Sequence, residues 1–240
     1  MKAEELKKEF YDAGKFTEGL AAVIKALQDS TGNDDPEWPN LLALKAWFHY
    51  RLKDYALAQD SAKEAGPVLW ARECLAYIAA YVDKDDAALR QFLDELGDNI
   101  NVTNAMIIRA RDNDSTIAHG EVLMRTLLIR GEGVETANLY HNAGRYFLAK
   151  PRDDSDYVLA LGFFTVAAAL YGTTGNWHHR GALAFWRSSA LEHFMDKKSA
   201  ISAVEDSLRC WTEAIALDPT NKQHLEKWQG AINRLSELRK

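Results

Sequence analysis

Every proline in this chain, Pro36, Pro39, Pro67, Pro151 and Pro219, falls between stretches whose apolar residues recur with helical spacing. Proline removes a backbone donor and clashes with the preceding turn, so breakers placed this way punctuate helices and leave their interiors intact. No alternating Val/Ile/Thr run bounded by a hairpin turn competes with that pattern. The expected class is all-α. An apolar share of 47% supplies enough material for a core and argues against disorder.

Apolar period and breakers together predict about thirteen helices, near 3–13, 17–30, 39–52, 54–65, 68–82, 86–97, 102–112, 116–130, 134–149, 155–171, 177–195, 197–217 and 221–238. The connectors are short and carry turn chemistry: Ala13-Gly14-Lys15, Ala65-Gly66-Pro67, Gly131-Glu132-Gly133 and Gly172-Thr173-Thr174-Gly175. Turns this short make successive helices antiparallel neighbours, which pairs the first twelve into six hairpins. The thirteenth is left as a C-terminal cap, with an apolar stripe of Leu225, Trp228, Ile232 and Leu235. No low-complexity linker interrupts the pattern, so residues 1–240 are expected to form a single domain.

A packing code recurs in the second helix of each hairpin, where a small residue is followed four positions later by one on the same face. The pairs are Gly19 with Val23, Ala58 with Ala62, Ala88 with Phe92, Gly120 with Met124, Ala160 with Phe164, and Ser207 with Trp211. The run from Cys210 through Ala214-Ile215-Ala216-Leu217-Asp218-Pro219 closes the last of these helices. With Phe10, Gly14 and Phe16 in the first hairpin, Ala46, Tyr55, Ala58 and Ala65 in the second, and Trp186, Ala190, Ala214 and Pro219 in the sixth, the chain resembles a tetratricopeptide repeat protein. The departures are a repeat length that varies and inserts at Gly32-Asn33-Asp34-Asp35-Pro36 and 150–155. That resemblance implies an α-α superhelix that binds a peptide or partner helix in a concave groove lined by the first helix of each hairpin. It places Trp47, Tyr50 and Arg51 in the groove, then His141, Asn142 and Arg145, then Arg187, Ser188 and Leu191. An asparagine and two arginines in such a groove resemble the donors with which the family holds a peptide backbone or a terminal carboxylate.

The other motifs lead elsewhere or nowhere. A net charge of -6 with mixed signs opposes nucleic-acid binding, which needs clustered positive charge. Cys74 and Cys210 lack metal-ligand spacing and read as reduced core thiols. The N-terminus opens on a charged amphipathic helix without a signal-peptide core, and apolar stretches such as 163–171 are shorter than a membrane span. A cytoplasmic protein with no membrane partner is expected. Adjacent His178 and His179 in Trp177-His178-His179-Arg180 point about 100° apart on a helix, poor geometry for one metal. Asp153-Asp154-Ser155-Asp156 lacks the glycine and distal glutamate of a calcium loop, and suits a helix N-terminus. Asn101-Val102-Thr103 matches a glycosylation sequon only in form. Without a phosphate loop, nucleophile elbow or dinucleotide fingerprint, neither a cofactor nor an enzyme activity is expected. Two alternatives stay open. One is a structural subunit of a homo-oligomer or larger complex, assembled through Phe10, Tyr11 and Phe16 in the first hairpin, which no preceding repeat covers. The other is an enzyme in which two of His141, His178, His179 and His193 meet a carboxylate in one cavity.

Overall fold

The computed structural model describes residues 2–172 and 176–240, apart from the side chain of Asn33. Of the connector Gly172-Thr173-Thr174-Gly175, residues 173–175 lie outside that description. The fold is all-α, with thirteen α-helices and no strand among the described residues. They are α1 (Ala3–Leu6), α2 (Phe16–Asp29), α3 (Trp38–Leu52), α4 (Tyr55–Ala65), α5 (Leu69–Ile78), α6 (Asp86–Leu96), α7 (Ile100–Arg109), α8 (His119–Leu128), α9 (Val134–Ala149), α10 (Asp154–Gly172), α11 (Trp177–His193), α12 (Lys197–Leu217) and α13 (Lys222–Leu238). Two of them, α1 and α5, run on into π-helical turns, Lys7–Tyr11 and Ala79–Asp83.

Starts follow from local chemistry. The side chains of Asp85, Asn99, Asn176, Asp196 and Asn221 each accept a bond from an otherwise unpaired backbone N–H in the first turn of α6, α7, α11, α12 and α13. Pro39 sits in the first turn of α3, where its missing N–H costs nothing.

The chain packs as two compact units, Met1–Gly97 and Asp98–Lys240. In the first, α3 is the central helix and touches α2, α4 and α5. Its core holds Leu6, Val23, Leu41, Leu44, Phe48, Ala58, Ala62 and Cys74. Gly19 makes that packing possible, because a Cβ there would overlap both the Phe48 ring and Phe10. Phe10, Tyr11 and Phe16 pack against this core, half-buried, so the apolar start does not form the open surface expected of it. Arg51 covers it from outside, its guanidinium 4.7 Å from the Phe16 ring and 5.7 Å from Tyr11.

In the second unit the strongest pairings are α9 with α10, α11 with α12, and α12 with α13. Ala160 and Phe164 are buried as the spacing predicts, as are Ser207 and Trp211. The expectation fails at two hairpins. In α6 the buried pair is Leu89 and Leu93, one position on from Ala88 and Phe92, which are half-exposed. In α8 nothing approaches Gly120 and Met124 is exposed; α7 packs on α9 instead, leaving α8 at the margin. The stripe of α13 is met in part: Trp228 and Leu235 pack against the core, His224, Ala231 and Leu238 are buried beside them, and Leu225 faces solvent.

One further difference concerns α10. It carries no charge after Asp156, and by length and mean hydropathy, 1.3 over its best window, it is long and apolar enough to cross a membrane. It lies along α9 and α11 with Phe163, Phe164, Ala167 and Tyr171 turned inward.

Candidate functional site

The residues proposed for the first unit lie in an aromatic cluster. Trp47 donates its indole N–H to the Trp70 carbonyl at 2.9 Å and meets Tyr11, Tyr50 and Tyr77 edge-on at 5.2–6.1 Å. Tyr50 continues the chain of rings to Tyr55 and Tyr77. Burial pushes the phenols of Tyr11, to about 12, and of Tyr50 upward. Arg51 stands outermost, committed to Phe16 and Tyr11.

In the second unit several expected groove residues turn inward. His141 is buried on α9 against Phe164 and Tyr171, with Nε2 lacking a partner. The amide of Asn142 donates to Asn104 Oδ1 at 2.9 Å, joining α9 to α7, so it is not free to read a peptide. Ser188 is buried, and its hydroxyl donates back to the Phe185 carbonyl at 2.7 Å. Leu191 packs into the α11–α13 core. The cause is common to all of them. α9 packs against α7, α8 and α10, and α11 against α10 and α12, so fewer positions reach solvent than in a helix packed on one side.

The two arginines do reach solvent, but in different places. Arg187 lies on a groove of about 520 Å³ across α10, α11 and α12. Its floor is small and apolar, made by Ala168, Leu183, Ala184, Ala203 and Cys210. The α11 wall carries Arg180 and Arg187, two turns and about 10 Å apart. The α12 wall carries Asp206 and Glu213 at the same interval, with Arg209 between them. Arg180 is laid over the Trp177 ring at 4.5 Å, and Asp206 pairs with Arg209. Among the described residues no ion pair closes the groove from wall to wall.

Arg145 lies in a second cavity of about 470 Å³, bounded by α9, α10 and α11. Its neighbour there is Arg111, which sequence reasoning missed. Arg111 comes from the turn after α7, and Lys150 at the end of α9 fixes that turn by donating to the carbonyls of Ala110 and Asp112 at 2.8 and 2.7 Å. The guanidinium of Arg145 stacks on Trp186 at 4.9 Å, and its Nε is buried without an acceptor. Burial first, and then the charge of Arg111, lowers its pKa.

The histidines divide. His178 meets His179 and His224 at 5.1 and 5.2 Å, and His179 reaches Tyr171, which also touches His141. His193 lies apart, bonded to Asp154 at 2.9 Å and stacked on Tyr157 at 3.5 Å. Among the described residues no group of three or more His, Cys, Asp or Glu side chains is arranged to hold a metal ion. No protein-family model matches the chain, and no curated protein matches it.

Proposed function

We propose that this chain is a tetratricopeptide-like interaction module that holds a helix or extended segment of a partner protein along α11. The observation that carries the reading is the open groove with Arg180 and Arg187 on one wall, Asp206, Arg209 and Glu213 on the other, and alanines between them. A floor of small side chains lets a second backbone approach closely, and a basic wall facing one whose unpaired charge, among the described residues, is Glu213 orients what lies there. The best-fitting segment has a narrow apolar face, acidic residues along the edge that meets α11, and a basic residue opposite Glu213 on the other. Close approaches at Gly19 and Gly181 and the full burial of Ala58 and Ala160 support the repeat-like part of the reading.

The test begins with affinity capture of a partner by the full chain, followed by titration against variants. Ala184→Trp fills the floor and is expected to abolish binding while the far-ultraviolet circular dichroism stays unchanged. Unaltered affinity in that variant would remove the groove from the interaction.

Self-association is a second reading, and one observation favours it. Met124, Leu127 and Leu128 are exposed on one face of α8, at i, i+3 and i+4. Sedimentation at rising concentration, compared with Leu127→Asp, tests it; a monomer throughout would end it.

A further inference from the structure

The cavity holding Arg145 is separate from the α11–α12 groove, and its electrostatics point to a different ligand. Two guanidinium groups, Arg111 and Arg145, border one space of about 470 Å³. The carboxylate among its lining residues, Glu192, is already paired with Arg234 of α13. His193 on the same wall is engaged by Asp154. Two positive charges therefore share the cavity, and neither has an acidic partner among the described residues. A buried charged donor left without an acceptor is costly, and Arg145 Nε is such a donor. An oxyanion entering the cavity relieves both the unmet donor and the repulsion between like charges.

The walls narrow the choice. Trp186 lies beneath Arg145, and the Tyr157–His193 stack is flat, its rings 2° from parallel, so the space is bordered by ring surfaces as well as by charge. Two guanidinium groups match a dianion; a single carboxylate neutralises one of them. We propose that the Arg111/Arg145/Trp186 cavity is a binding site for an aryl phosphate, a phosphomonoester dianion carried on a flat apolar ring. The phosphate oxygens take the guanidinium donors and the ring lies against Trp186. A free aryl phosphate and a phosphorylated tyrosine side chain share this chemistry.

Calorimetric titration of the full chain with phenyl phosphate tests the site, with inorganic phosphate and benzoate as comparison probes. One equivalent of phenyl phosphate is expected to bind, about tenfold or more tighter than either comparison, and less tightly as salt rises. Arg145→Gln and Arg111→Gln should each weaken it by about tenfold or more, while Arg187→Gln, in the other groove, leaves it unchanged. Arg111 lies on a turn, so its variant keeps the test valid if Arg145→Gln fails to fold. Benzoate binding as tightly as phenyl phosphate would overturn the dianion assignment, and inorganic phosphate doing so would overturn the aromatic wall. An absence of heat at millimolar phenyl phosphate, or loss of binding in Arg187→Gln, would overturn the site itself. A phosphotyrosyl peptide matching or exceeding phenyl phosphate assigns the side-chain source, and a weaker one assigns the free compound.

Discussion

Trp211 lies so close over Gly181 that a Cβ on the glycine would sit 2.8 Å from the indole. Ser207, one turn before Trp211, donates its hydroxyl to the Gly181 carbonyl at 2.8 Å, locking α12 to α11 at that point. A methyl group here must displace a fully buried ring, an overpacking cost of about 1–3 kcal/mol. Helix propensity pulls the other way by about 0.5–1 kcal/mol. Gly181→Ala is therefore expected to destabilise the protein. Gly162, on the exposed face of α10, has nothing within 4 Å of its Cβ position, so Gly162→Ala should stabilise by about 0.5–1 kcal/mol. Urea denaturation of the two variants decides the matter, since midpoints that move in the same direction contradict the packing described.

Asp156 is a second point where one change should matter greatly. Its buried carboxylate accepts from His119 Nε2 at 2.9 Å, from the Arg152 backbone at 2.8 Å and from the Arg152 guanidinium, tying the start of α8 to the start of α10. Burial alone would push its pKa up, but the bonds from Arg152 and His119 outweigh that and hold it down to about 2. Asp156→Ala leaves the Arg152 backbone and His119 donors unmet and is expected to cost about 1–3 kcal/mol. The Arg152 side chain is largely exposed, so Arg152→Ala should cost about 1 kcal/mol or less. Equal losses in the two variants, measured by thermal or urea unfolding, would count against a buried carboxylate as the centre of this network.

The helices were legible because the apolar period is strong and the breakers sit at their ends; even α13 was placed within a residue of its start. The rotation of a helix was harder to read. In α6, Ala88-Leu89 and Phe92-Leu93 offer two apolar faces one residue apart, and only the tertiary neighbours select Leu89 and Leu93. The cavity around Arg145 was half-legible for a similar reason. Arg145 lies on a periodic helix, whereas Arg111 lies on an irregular turn more than thirty residues earlier. What brings that turn to α9 is a lysine capping two carbonyls, an interaction that leaves no periodic trace in sequence.

Acid should weaken the fold through its histidines before it reaches its carboxylates. Burial, then the charges of Arg145 and His179, pushes His141 down to about 3. Burial and His179 bring His178 to about 4, and burial lowers His179 as well. The unfolded chain protonates these imidazoles below about pH 6.5, while the folded chain resists. The stability they contribute is complete above that pH and is lost as pH falls from about 6.5 towards 4 for His178 and towards 3 for His141. At pH 5 the loss from His141 alone is about 2 kcal/mol. Asp156 acts in a lower window, below about pH 3.8, where its unfolded form takes up protons. Urea midpoints at pH 7 and pH 5 should differ in the wild type and differ less in His141→Gln. Identical midpoints at the two values would mean that these rings are not held neutral by burial.

The charged walls of the α11–α12 groove make the last prediction the most specific. Arg180 and Arg187 stand two turns apart on one helix, so a partner helix running alongside must present its acidic residues at the same interval to meet both. Reversing both, Arg180→Glu with Arg187→Glu, converts attraction to repulsion along the whole edge. Each lost charge-assisted bond is worth about 1.5–3 kcal/mol, which is tenfold or more in affinity. Because Arg187 is exposed, the loss should be largest at low salt and shrink as ionic strength rises. Stability should barely change, since neither arginine pairs with an acidic residue among those described. Glu213→Arg, on the opposite wall, should weaken the same partner independently, and the losses should add, because the two walls meet different edges of the segment. The measurement is a titration of the captured partner against the wild type and these variants at two salt concentrations. A partner that is indifferent to the α11 reversal but sensitive to Glu213→Arg would mean that the acidic wall is the one being read.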